Sequence, residues 1–150
     1  MSRTELRLPY PPSINHYWQS SYSFKRRRIF VCRSRKGKAY AADVEAAALN
    51  QLGRPPRLRG PLRITLRVTF PDRLKRDLDN LLKALLDALQ HAGVYGDDNQ
   101  LKDIWIFAAG VEKPGHVDVM LEVLDDLPLF NQVTPKRIRE QTKDSFKPTN

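Results

Sequence analysis

The sequence holds 150 residues, 41% hydrophobic and 29% charged, with a formal net charge of +9. That length suits one domain with a real core, no apolar run approaches a membrane span, and the lone Cys32 excludes an intrachain disulfide or a cysteine-rich zinc site. Met1 to Arg7 lacks the apolar core of a signal peptide, so the expected location is a reducing cytoplasm.

The charge is segregated along the chain. Residues 1–76 carry 18 Lys/Arg against 4 Asp/Glu, residues 77–126 carry 3 against 11, and residues 127–150 carry 5 against 2. A basic first half followed by an acidic stretch suits a polyanion held by one part while something else happens at the other.

Taken in order, Thr4 to Leu8 alternates polar and apolar residues and reads as a short strand that the prolines 9, 11 and 12 end. Ile14 to Trp18 is polar and aromatic and leads to the basic run Lys25-Arg26-Arg27-Arg28. Ile29 to Cys32 suits a strand, with Cys32 as buried filler, and a second basic cluster follows at Arg33, Arg35, Lys36 and Lys38. The alanine-rich segment from Ala39 to Leu49 predicts a helix with Tyr40, Val44, Ala47 and Ala48 inward, stopped by Gly53 and Pro55-Pro56. Arg63 to Phe70 alternates most cleanly and predicts a strand with Ile64, Leu66, Val68 and Phe70 inward.

A second helix is expected from about Leu78 to His91, with Leu78, Leu81, Leu82, Leu85, Ala88 and Leu89 on one face and Asp79, Lys83, Asp87 and Gln90 on the other. Gly93 is placed for a left-handed cap. Leu101–Ala109 and Val117–Val123 predict two further strands joined by a turn at Lys113-Pro114-Gly115. The order predicts a mixed α+β domain over residues 1–124, two main helices on one sheet face, with residues 125–150 as a flexible tail.

Asp77 and Asp79, Lys83, and the later pair Asp97-Asp98 carry the chemical question. Each has a bland account. Asp77 suits an N-cap, Asp79 favours the helix dipole, Asp79 and Lys83 form an i,i+4 pair, and Asp97-Asp98 suits a turn. As a set, carboxylates beside Arg73, Lys75 and Arg76 combine metal capture with phosphate capture. Magnesium wants oxygen ligands, and a lysine can stabilise charge developing on a phosphate. Asp-x-Asp alone is also found in enzymes acting on nucleotides and nucleotide sugars. The two basic clusters around an aromatic segment point to nucleic acid gripped through phosphates and shape.

Three segments make the chain resemble the RusA family of Holliday-junction resolvases: Pro9-Tyr10-Pro11-Pro12-Ser13-Ile14-Asn15-His16-Tyr17, Gly37-Lys38-Ala39-Tyr40, and Arg76-Asp77-Leu78-Asp79-Asn80-Leu81-Leu82-Lys83 with Asp87-Ala88-Leu89, Gly93, Asp97-Asp98 and Gln100. The resemblance covers roughly residues 5–124, and between Ser20 and Lys36 this chain is more basic than the family pattern. It implies a homodimeric nuclease that uses magnesium, with manganese as the alternative ion, to resolve four-way junctions by paired nicks in recombination and repair. It carries the catalytic roles to Asp77, Asp79, Asp98 and Lys83, with the three aspartates as metal ligands. DNA contacts are then expected from Arg26, Arg27, Arg28, Arg33, Lys36, Lys38, Arg73, Lys75, Arg76 and Asn80.

Chain length adds a condition. A helix from Leu78 to His91 is roughly 21 Å long, whereas the five residues from Gly93 to Asp98 reach at most about 17 Å. Asp98 therefore struggles to return to Asp77 in its own chain, and the expected site is shared between two antiparallel subunits. The competing readings are a protein that grips branched DNA without cutting it and a metal-dependent enzyme acting on nucleotides.

Overall fold

In the computed structural model, which describes residues 3–125, the most cleanly alternating segment lies in the interior of a four-stranded mixed sheet. β1 (Arg3–Pro9), β4 (Leu62–Phe70), β5 (Leu101–Val111) and β6 (His116–Val123) run in the order β1-β6-β4-β5. β6 is antiparallel to both neighbours, and β4 and β5 are parallel. Alternate residues through the middle of the three antiparallel strands are buried: Leu6 and Leu8, then Leu62, Ile64, Leu66 and Val68, then Val117, Val119 and Leu121, with Phe70 and Val123 partly buried at the strand ends. These pack with α2 (Arg35–Leu52) and α3 (Asp79–His91) in one core. The other sheet face is polar, with Arg7 on Asp118 at 2.7 Å and Arg63 on Asp103 at 2.6 Å.

A parallel pair needs a crossover connection, and α3 supplies it between β4 and β5. Leu81, Leu85, Ala88 and Leu89 of the predicted stripe are buried, together with Ala84 and Leu86, which the periodicity did not single out, while Leu78 and Leu82 are only partly buried. Each fully buried leucine contributes about 1.5–3 kcal/mol. Gly93, at φ 75°, ends the helix: Val94 N–H donates to the Leu89 carbonyl and Gly93 N–H to that of Gln90.

The first forty residues hold more structure than periodicity predicts. Ile14–Tyr17 forms one helical turn, α1, and Trp18–Ser23 forms a strand, β2, paired with β3 (Arg28–Arg33) in a separate hairpin. Serines at positions 20, 21 and 23 hide β2 from a reading based on apolar alternation. Cys32 is half-exposed in this hairpin beside Ser21 Oγ at 3.6 Å, not buried filler.

α2 begins four residues before Ala39. Ser34 caps it, its Oγ accepting from Gly37 N–H at 3.0 Å, so Arg35, Lys36 and Lys38 lie in its first turns and not on a loop. A Cβ at Gly37 would overlap the Tyr17 carbonyl oxygen, which explains a glycine inside the helix. Of the expected tail, only Asp125 lies within the described residues.

Candidate active site

The β4–α3 connection, residues 71–78, leaves the C-terminal end of a strand in the parallel pair, where open α/β sheets commonly present their ligand sites. Asp72 organises it. Its carboxylate accepts from Leu74 N–H at 2.9 Å and takes a bidentate pair from Arg76, whose Nη2 lies 2.8 Å away. The Arg76 hydrogen bonds, then that of Leu74, hold the Asp72 carboxyl at about 2, below its usual range. Arg76 itself is half-buried, its guanidinium 5.9 Å from the Tyr10 ring centre. Arg76 therefore braces the connection from inside, while Arg73 and Lys75 remain exposed.

Asp77 does not cap α3. The residue before the helix is Leu78, in helical conformation, and no side chain caps the turn. Asp79 does not pair with Lys83 either. Among the described residues neither carboxylate takes part in a hydrogen bond or an ion pair, and both residues are exposed. Capping and helix pairing thus leave this aspartate pair unexplained. Beside it, Tyr10, Ser13, Lys75, Arg76, Asp77 and Asn80 line a cleft of about 290 Å³. The Tyr10 hydroxyl is buried there with no partner among the described residues, a donor awaiting an acceptor.

The second aspartate pair follows α3. Asp97 caps a 3-10 turn (Asp98–Gln100) in a reciprocal capping box: its side chain accepts from Asn99 N–H at 2.8 Å, while Gln100 Oε1 accepts from Asp97 N–H at 3.0 Å. The Gln100 amide also donates to the Leu58 and Gly60 carbonyls, both at 3.0 Å, pinning the loop. Asp98 points elsewhere, one oxygen 3.4 Å from Lys83 Nζ and the other 3.2 Å from Tyr95 Oη. Tyr95 is buried, and its single hydroxyl proton is shared with the nearer Leu86 carbonyl at 2.7 Å. Burial first, then the Asp98 carboxylate, pushes the phenol's ionisation upward.

Lys83 is therefore the link between the pairs. It lies one helical turn after Asp79, and its ammonium reaches Asp98. Asp77 precedes α3 and Asp98 follows it in sequence, yet the Lys83 contact brings the Asp98 carboxylate back beside the N-terminal half of the helix. Among the described residues no three His, Cys, Asp or Glu side chains come close enough to hold a metal ion. The donor set is carboxylate only, with two members uncommitted, which fits a hard divalent cation better than zinc or another soft metal.

The remaining cations divide by place. Arg26 and Arg27 form part of the hairpin turn, with Arg28 opening β3; Arg33 ends β3, and Lys36 and Lys38 lie on the first turns of α2. Asn80 is in the first turn of α3 beside the cleft. Tyr17, which sequence reading gave no role, is wholly buried and donates its hydroxyl to Asp87 on α3. Burial and then that carboxylate push its ionisation upward. No local pattern announces Tyr17 or Tyr95, whereas the capping box is legible as Asp97-x-x-Gln100.

The family model described as Endodeoxyribonuclease RusA matches residues 9–122. A protein of Enterobacteria phage HK97 named crossover junction endodeoxyribonuclease rusA is 42% identical over 115 residues, covering 77% of this chain and 89% of its own. Proteins of the same name from Escherichia coli are 36% identical: that of strain E24377A over 129 residues, covering 84% of this chain and 99% of its own, and that of strain K12 over 124 residues, covering 81% and 95%. The matched span takes in the proline-rich opening, both main helices and both aspartate pairs, and the chain belongs to the RusA family of endodeoxyribonucleases.

Proposed function

We propose that this chain is a crossover junction endodeoxyribonuclease that cuts phosphodiester bonds at four-way DNA junctions, in recombination and repair within a bacterial cytoplasm. The observation that carries the reading is the uncommitted pair Asp77 and Asp79, set at the start of a helix whose Lys83 faces Asp98. Asp77 and Asp79, completed by Asp98, are the residues to hold magnesium or manganese. When bound, the ion supplies Lewis acidity and a more acidic water. Lys83, beside Asp98, offers its ammonium to charge building on the phosphate. Tyr95 fixes Asp98 in turn. Lys75 and Asn80 hold flanking phosphates at the cleft, with Arg73 exposed on the same connection, and Arg76 keeps that connection in shape.

The site is completed, on this reading, by a second copy of the chain whose Asp98 joins Asp77 and Asp79. What supports it is that among the described residues of one chain no three carboxylates come close enough to hold a metal ion. So does β5, a long edge strand with Ile104, Trp105, Phe107 and Val111 exposed, which offers apolar surface for a two-fold contact. The Lys83–Asp98 contact favours a second reading, in which all four residues act within one chain. Mixing Asp77→Asn with Asp98→Asn protein separates them. Recovery of cleavage in mixed dimers supports the shared site, and its absence in dimers that do form selects the single chain.

Activity is tested with a synthetic four-way junction and a matched duplex, with and without magnesium. Cleavage confined to the junction and dependent on the ion is expected. Equal rates on both substrates would remove the junction specificity and keep the nuclease. Tight binding without cleavage, unchanged by magnesium, would leave only a binding protein.

A further inference from the structure

The β2–β3 hairpin stands apart from the main sheet, and a two-stranded hairpin alone is marginally stable in water. Its root is fixed. Tyr17 is buried, Ser34 N–H donates to the Tyr17 carbonyl at 2.8 Å, and Trp18 packs edge-on to Tyr17 with ring centres 5.0 Å apart. Its outer half is not covered. Phe24 is 87% exposed, Ile29 72% and Val31 66%. Tyr22 pairs with Ile29 and Ser20 with Val31, so these side chains share one face. The Tyr22 and Phe24 rings meet at 88° with centres 5.0 Å apart, an edge contact that leaves aromatic faces open.

The cations are at the same end. Lys25, Arg26, Arg27 and Arg28 are all exposed. Arg27 sits at φ 50°, in the left-handed region where glycine or asparagine is the ordinary choice. A turn built for stability alone would not place arginine there; what arginine adds is reach and charge.

We propose that this hairpin is an arm that stacks Phe24 on a base exposed at the branch point of the junction, while Lys25, Arg26, Arg27 and Arg28 hold the adjacent phosphates. This rests on the junction activity proposed above. Charge decides the occupant. The apolar face alone would also suit a second copy of the chain, but four consecutive cations suit a polyanion and repel their own equivalents. Aromatic stacking beside cations is the chemistry of sites for unpaired bases. In an intact duplex the bases are already stacked on one another, so the arm favours branched over linear DNA.

The test compares full-length wild type, Phe24→Ala and Phe24→Trp, binding the four-way junction and the matched duplex in EDTA. Phe24→Ala is expected to weaken junction binding by about 10-fold, the loss of one base–aromatic stack, and to leave duplex binding and the far-ultraviolet circular dichroism unchanged. Phe24→Trp is expected to keep junction affinity and to show fluorescence quenching beyond wild type on adding junction but not duplex. If wild type prefers the junction and Phe24→Ala binds it equally well, the arm is overturned and the proposed activity stands. If wild type shows no preference for the junction, the activity reading fails first and the arm with it. A shift of Phe24→Ala from dimer to monomer in sedimentation would assign the face to a protein contact and overturn the proposal.

Discussion

The two aspartate pairs differ in what the fold asks of them. Asp97 and Asp98 are both engaged, the first in the capping box of a short turn and the second between Tyr95 and Lys83. Asp77 and Asp79 cap nothing and take part in no ion pair among the described residues. Exposed carboxylates two residues apart gain little from each other and repel, so the fold does not account for the first pair and largely accounts for the second. The capping box accounts for Asp97, the contacts to Tyr95 and Lys83 account for Asp98, and no contact among the described residues accounts for Asp77 and Asp79.

That contrast can be broken by substitution. The largest effect is expected from Asp79→Asn: junction cleavage falls by about 10²–10³-fold, while stability to urea stays within about 0.5 kcal/mol, because no native contact is lost. A substantial loss of stability would show that the pair is structural after all. Next comes the division within the second pair. Asp98→Asn is expected to suppress cleavage at least as strongly as it perturbs folding. Asp97→Ala should lose about 1 kcal/mol with its cap and keep most of its cleavage rate per folded molecule. Equal loss of cleavage in both variants would erase the distinction between them.

A smaller effect tests how Asp98 is held. Tyr95→Phe removes the hydroxyl shared by Leu86 and Asp98, and is expected to cost about 1 kcal/mol and about 10-fold in cleavage rate. Loss of stability without loss of rate would reduce Tyr95 to a core residue. The smallest effect is the pH response of Asp72. Its folded value, about 2, lies below the ordinary 3.8. The stability it contributes is therefore fully present above 3.8 and is lost as pH falls through 2. Urea unfolding followed across that window should show a slope that Asp72→Asn removes.

Much of this was legible in the residues. Alternation in Arg63 to Phe70 and the leucine stripe of α3 gave the sheet interior and the crossover helix, because burial on one face imposes a period. Ile29 to Cys32 was legible as the strand that becomes β3, whereas β2 escaped because its serines leave no apolar alternation to read. The start of α2 escaped because Gly37, a poor helix former that must approach Tyr17, falls in its first turn. The motif residues were legible as a family pattern, and the family holds over residues 9–122. Their partners were not: that Lys83 turns to Asp98 and that Tyr17 holds Asp87 are facts of three-dimensional approach between segments far apart in sequence.

Gly37 gives the last point a mechanical form. The Tyr17 carbonyl occupies the space its side chain would need, Tyr17 also roots the hairpin through Ser34, and the same residue's hydroxyl grips Asp87 on α3. Three elements meet at one tyrosine, with a missing methyl group as the clearance that lets them close. The hairpin and α3 are thereby tied to one residue. Removing the Tyr17 ring would therefore unsettle the hairpin root and α3 at once.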